Sequence, residues 1–154
     1  AGAVPFGMFA LDSMRIEKGY RTWKGDLSTD YTLLEGGLER FVRLNKEQSF
    51  PGKQALMSEK QQGAKKGFVT LVVEAGNCDA PYMSTVWNGD EVVGETTSGN
   101  WGYRINKSVA LGVVKAEFAA PGTELELEIY GKRCKAVVQE DLPLWDAENE
   151  RIRA

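Results

Sequence analysis

From residue 65 onward the chain reads as short strands separated by turns, and this restricts the fold more than any other feature of the sequence. Thr123-Glu-Leu-Glu-Leu-Glu-Ile-Tyr130 alternates strictly. Successive side chains of a strand point to opposite faces, so Leu125, Leu127 and Ile129 share one face and Glu124, Glu126 and Glu128 the other. The apolar face needs a core and the acidic face needs water. Gly131-Lys132 turns this strand back into Arg133–Val138. Gly67–Glu74 and Ser108–Val114 are β-branched apolar runs, which fit a pleated, buried surface. Ser84–Trp87 and Asp90–Glu95 flank Asn88-Gly89, a dipeptide that tolerates the positive φ values of a two-residue hairpin turn. Short strands with frequent turn signals predict a sandwich or a small antiparallel β-barrel.

Before residue 65 the pattern is helix, irregular segment, helix. Phe6–Gly19 reads as the first helix, with Gly19 as its stop. Phe6, Ala10, Ser13 and Met14 recur at helical spacing and predict one apolar face. Glu17 falls on that face, four residues after Ser13, while Asp12, Arg15 and Lys18 point elsewhere. A carboxylate pressed inward is unfavourable unless donors meet it. Those donors can come from a ligand, or from Arg15 or Arg21 in a structural ion pair; the spacing leaves both open. Leu33–Leu38 predicts a short helical turn, Arg40–Leu44 alternates like a strand, and Lys53–Gln62 predicts a helix opened by Pro51 and closed by Gly63. The fold class is therefore α+β. The divisions are a helical part at 1–64, a barrel at 65–144 and a charged, loosely held tail at 145–154.

Composition narrows the function by exclusion. The 154 residues are enough for a real core, and the chain has no apolar run of membrane-spanning length and no secretory leader pattern. A net charge of −3 offers no footprint for nucleic acid. Histidine is absent, which removes the usual general base near neutral pH and the commonest metal ligand. Cys78 and Cys134 are isolated and form no metal-spaced pair. They fit a reducing compartment, the cytoplasm or, for a eukaryotic source, the mitochondrial matrix. No catalytic residue, metal site or self-contained nucleotide loop is predicted. The initial alanine and immediate entry into a helix suggest a piece of a longer chain.

Four stretches taken together resemble a known family. They are Ala10-Leu-Asp-Ser-Met-Arg-Ile-Glu-Lys-Gly19 continuing through Trp23 and Gly25-Asp26-Leu27, Leu34–Lys46, Phe50-Pro-Gly-Lys-Gln-Ala-Leu56, and Gly94-Glu-Thr-Thr-Ser-Gly99 with Lys107–Val113. In this order they resemble the folate-binding and C-terminal barrel regions of the glycine cleavage T-protein (aminomethyltransferase) superfamily. The run around Arg15, Glu17, Lys18 and Trp23, with Ser98–Tyr103, is more similar to the C-terminal regions of dimethylglycine and sarcosine dehydrogenases. The resemblance implies part of an α/β folate-binding subdomain followed by a small antiparallel barrel. It implies tetrahydrofolate as the bound cofactor, and FAD in a module upstream of this chain. The expected partners are those upstream domains, and the parent would pass a one-carbon unit from an N-methyl amine to tetrahydrofolate. The alternatives are a flavin-free aminomethyltransferase or demethylase, and a non-catalytic structural module. The family's catalytic aspartate belongs to a more N-terminal subdomain, so the chain alone is expected to be inactive.

The resemblance also assigns candidate binding residues. Glu17 aligns with the glutamate that holds the pterin, where two parallel ring donors suit a carboxylate. Tyr20, with Trp23, either stacks on the ligand or packs the junction between helix and barrel. Trp101, Tyr103 and Arg104, read as one glycine-flanked loop, either approach the folate or plug the barrel. Lys65, beside Lys66, either meets the anionic glutamate tail of folate or caps a solvated helix end.

Overall fold

The computed structural model describes residues 2–153. In it the strand pattern closes on itself. Six strands form one barrel, namely β1 (Lys66–Val73), β2 (Thr85–Asn88), β3 (Glu91–Gly102), β4 (Lys107–Lys115), β5 (Glu124–Ile129) and β6 (Lys132–Val138). Their order is β1-β4-β3-β2-β5-β6, every pairing is antiparallel, and β6 returns to β1 through Leu71↔Val138 and Val73↔Ala136. The predicted α+β class with a small antiparallel barrel is the observed one.

The alternation read from β5 explains the interior. Leu125, Leu127 and Ile129 are buried with Leu71, Val86, Val93, Val114 and Val138. Strand β4 is different, being buried along nearly its whole length. Ala110 and Val114 fill the barrel, while Val109 and Leu111 face outward under a second layer. That layer is α1 (Met8–Glu17), whose Ile16 packs on Val109 and Leu111. A strand covered on both faces reads as a continuous apolar run, as Ser108–Val114 does.

Several expectations are corrected. The buried face of α1 is Ser13, Ile16 and Glu17, spaced i, i+3, i+4. Phe6, Ala10 and Met14 are exposed, so the predicted apolar stripe does not meet the barrel. Arg40–Leu44 forms no strand, and Glu39–Phe41 is a 3₁₀ turn instead. A closed barrel leaves no free edge for another strand to join. The first hairpin turns at Gly89 and Asp90, because Asn88 still pairs with Glu91. Strand β3 runs on to Gly102, which puts Trp101 in the strand and leaves Tyr103 and Arg104 in the turn. The second helix, α2 (Lys53–Gln62), matches its predicted span but buries no residue. The tail is not loose: its backbone folds back on α1, with the Trp145 N–H donating to the Glu17 carbonyl. No helix among the described residues is long and apolar enough to cross a membrane.

Candidate functional site

Helix α1 ends where the sequence signals it. Gly19 adopts φ +65°, and the N–H groups of Gly19 and Tyr20 donate to the carbonyls of Ile16 and Arg15. This closure fixes Glu17 as the last helical residue, facing the β3–β4 turn. Glu17 is 2% exposed. Neither Arg15 nor Arg21 pairs with it; Arg15 binds Asp12 and Asp26, and Arg21 binds Asp141. Instead the backbone N–H of Arg104 donates to Glu17 Oε1 at 2.6 Å, and that of Ile105 at 3.2 Å. Oε2 receives no hydrogen bond from the described residues. A carboxylate offers about four lone-pair positions, so roughly half of its accepting capacity is left for a guest.

Close approach makes this contact possible. A Cβ on Gly102 would lie 2.9 Å from Ile105 Cγ1 and 3.1 Å from both Cγ and Oε1 of Glu17. The Ser13 hydroxyl donates to the Trp101 carbonyl at 2.7 Å, one helical turn before Glu17. The helix end is therefore clamped to the end of β3 at two levels.

Glu17 opens onto a cavity of about 260 Å³ lined by Leu11, Met14, Tyr20, Arg104, Trp145 and Ile152, among others. Its walls come from α1, the β3–β4 turn and the C-terminal segment. The Arg104 guanidinium lies over the Trp145 ring, 4.4 Å from its centre. Arg15 and Lys18 also line it, with their charged ends engaged by Asp12 and Asp26 and by the C-terminal segment. One acidic acceptor, the Arg104 cation and several apolar or aromatic walls suit a flat, partly polar ring that carries N–H donors.

The predicted site residues are divided by this geometry. Glu17 and Tyr20 line the cavity together. Trp101 is not among its lining residues and contributes its carbonyl to Ser13. Tyr103 is 77% exposed beside Arg104, outside the cavity wall. Lys65 is exposed at the far end of the barrel, where its carbonyl accepts from Ala116 next to the Lys66↔Lys115 pair. The nine residues of β4 separate it from the Arg104 turn, a span of roughly 25 Å at about 3.3 Å per residue. Arg104 was legible as part of its loop. Trp145 and Ile152 carried no sequence signal, since a charged tail gives no periodicity.

A second buried carboxylate braces the site. Asp26 is fully buried and accepts from the Thr22 N–H and hydroxyl, the Thr97 and Ser98 hydroxyls and the Arg15 guanidinium, at 2.6–2.9 Å. Burial pushes its pKa up, but the bonds from Ser98, Thr22 and Thr97 and the charge of Arg15 outweigh that, and the net shift is downward. Asp26 thus joins α1, the loop after it and β3. Cys78 is exposed, Cys134 is half-buried, and both are free thiols.

The same assembly of helix, turn and barrel is found in known proteins. The profile of the glycine cleavage T-protein C-terminal barrel domain matches residues 66–146, more than half of the chain. The chain belongs to the glycine cleavage T-protein family. The profile of the GCVT N-terminal domain matches residues 1–46. Mouse mitochondrial dimethylglycine dehydrogenase is 39% identical over 153 residues, covering 99% of this chain and 18% of that protein. An aminomethyltransferase of Bacillus mycoides is 38% identical over 138 residues, covering 89% of this chain and 37% of that protein. The crystal structure of the glycine cleavage system aminomethyltransferase T from Bartonella henselae superimposes with a TM-score of 0.81 at 27% identity, over 90% of this chain and 38% of that one. This member of the T-protein family therefore spans between about a fifth and two fifths of the length of these relatives.

Proposed function

We propose that this chain is the folate-binding portion of a one-carbon-transfer enzyme, and that Glu17 is its pterin acceptor. The observation that carries the proposal is a nearly buried carboxylate with one oxygen held by backbone N–H groups, the other unclaimed, and an apolar cavity beside it. The 2-amino group and adjacent ring N–H of a pterin present neighbouring donors, and charge-assisted bonds to a carboxylate are about twice as strong as neutral ones. Tyr20 and Trp145 supply aromatic walls, and Arg104 supplies a cation at the rim. Tetrahydrofolate, when bound, accepts the one-carbon unit as methylene-tetrahydrofolate.

Size sets what fits. About 260 Å³ lies just below the roughly 300–1,000 Å³ of ligand pockets, so the cavity takes the bicyclic head and leaves the aminobenzoyl-glutamate part outside. Tyr103, exposed beside the cavity-lining Arg104, is available to that part, whereas Lys65 is remote from it. Val4, Phe6, Met8, Phe9, Leu11 and Met14 expose a run of apolar surface along the N-terminal segment and α1, next to the cavity. Upstream domains of the same enzyme are the natural cover for it, and they would complete the folate site.

The dimethylglycine dehydrogenase likeness supports a parent that oxidises an N-methyl amine in an upstream FAD-dependent module, in a reducing compartment such as the mitochondrial matrix. The near-equal identity to the Bacillus mycoides protein favours a second reading, a flavin-free aminomethyltransferase. Calorimetric titration with tetrahydrofolate, and separately with a tail-less reduced pterin, tests the common part. Saturable binding of both, each displacing the other, is expected. Binding of neither contradicts the proposal.

A further inference from the structure

The charged group nearest to Glu17 in sequence is used in a way that the folate reading does not require. Lys18 is 5% exposed, and its ammonium is fully occupied. Nζ donates to the Asp146 carbonyl at 2.7 Å, the Asn149 side-chain oxygen at 2.9 Å and the Trp145 carbonyl at 3.3 Å, with the Asp146 carboxylate at 3.9 Å. All three donor positions of an ammonium thus point into one short segment. That segment is folded on itself. The Asp146 carboxylate accepts from the N–H groups of Arg151 and Ile152 at 3.0 and 3.1 Å, and Asp146 and Asn149 adopt φ +50° and +59°, values their side chains tolerate better than most. Its two apolar side chains facing α1, Trp145 and Ile152, are the ones that line the Glu17 cavity.

Among the described residues, few other polar contacts hold the segment. Apart from Lys18, its polar anchor to α1 is the Trp145 N–H bond to the Glu17 carbonyl, and Arg104 stacks on the outer ring. Residues 147, 148 and 150–153 are exposed. Detaching the segment would break all three of these hydrogen bonds at once. The converse also holds: without that charge the three acceptors lose their donor and the wall loses its anchor.

We propose that Lys18 is a positioning residue whose buried ammonium latches residues 145–152 in place as one wall of the Glu17 cavity and thereby sets the affinity of a ligand bound there. The affinity part rests on the folate reading; the latch does not. If the wall is in place only a tenth of the time, apparent affinity falls about tenfold.

The test compares the unaltered protein with Lys18→Met, which keeps the stem and removes the charge. Asn149→Gly, which removes an acceptor and still accommodates the positive φ, and the double variant complete the set. Amide hydrogen exchange is read for residues 145–152 with β1 and β4 as internal references, and tetrahydrofolate affinity is read by calorimetry. Exchange at Trp145, Arg151 and Ile152 is expected to rise at least tenfold in each single variant while the barrel references stay unchanged. The dissociation constant is expected to rise about tenfold in each, and no further in the double variant, since both substitutions break one latch. Unchanged exchange overturns the proposal. So does a freed segment with unaltered affinity, or penalties that simply add. If Lys18→Met does not fold, Asn149→Gly alone decides by the same two readings. Absence of tetrahydrofolate binding to the unaltered protein contradicts the folate reading, and the exchange rates then decide the latch by themselves.

Discussion

Two residues carry more than their size suggests. Gly102 lets the end of α1 reach the β3–β4 turn, because any Cβ there meets Glu17 and Ile105. Gly102→Ala is expected to cost about 1–3 kcal/mol, the usual range for overpacking, and to displace the carboxylate. Chemical denaturation measures the first effect and ligand titration the second. Asp26 is the other. Asp26→Asn removes one partner of a buried, charged network, for which about 3–5 kcal/mol is typical. The pH dependence has a definite sign. The folded pKa of Asp26 lies below its ordinary value of about 3.9, so its contribution is full above about pH 4 and is lost as pH falls through the lower folded value. Denaturation midpoints taken from pH 7 down to pH 2 should therefore fall steeply at the acid end in the unaltered protein and less steeply in Asp26→Asn. Parallel curves would count against this role.

At the scale of elements, α1 is the joint. Ile16 is its one large apolar side chain fully buried on the barrel, under Val109 and Leu111. Ile16→Ala is expected to destabilise the protein by about 2–5 kcal/mol and to raise hydrogen exchange in α1 before the strands. An unchanged denaturation midpoint would mean that α1 is held from elsewhere. The sequence made some elements plain and hid others for physical reasons. The alternating Glu124–Ile129 strand and the apolar 108–114 run announce themselves, since their burial follows the period of a strand. The second half of β3, Thr96-Thr-Ser-Gly-Asn100, does not alternate in polarity. Its three hydroxyl side chains are buried because a distant acid and a loop carbonyl satisfy them: Asp26 takes the Thr97 and Ser98 hydroxyls, and the Pro81 carbonyl takes that of Thr96. Helix α1 shows the opposite failure. Apolar residues 6, 10 and 14 follow helical spacing, yet Phe6 lies before the helix, and the buried face was selected by the barrel and includes Ser13 and Glu17. Inward placement of Glu17 was legible from spacing; the donors that meet it, from a turn 87 residues away in sequence, were not.

At the scale of the molecule, a closed barrel supplies rigidity and three peripheral segments build the cavity against it. That arrangement divides labour: the barrel core can be stable while the cavity walls adjust to a ligand. The exposed apolar run from Val4 to Met14 reaches this cavity through Leu11 and Met14, which line it. The central claim remains local: the unclaimed oxygen of Glu17 receives the donors of a reduced pterin. The direct measurement is a calorimetric titration of tetrahydrofolate into the unaltered protein and into Glu17→Gln, which keeps the side-chain shape and an oxygen for the Arg104 and Ile105 N–H groups while replacing the other acceptor with a donor. The account predicts saturable binding by the first and, from about 1.5–3 kcal/mol lost per charged hydrogen bond, affinity weakened roughly ten- to a hundredfold or more in the second at unchanged thermal stability. Equal affinity in the two proteins would contradict it.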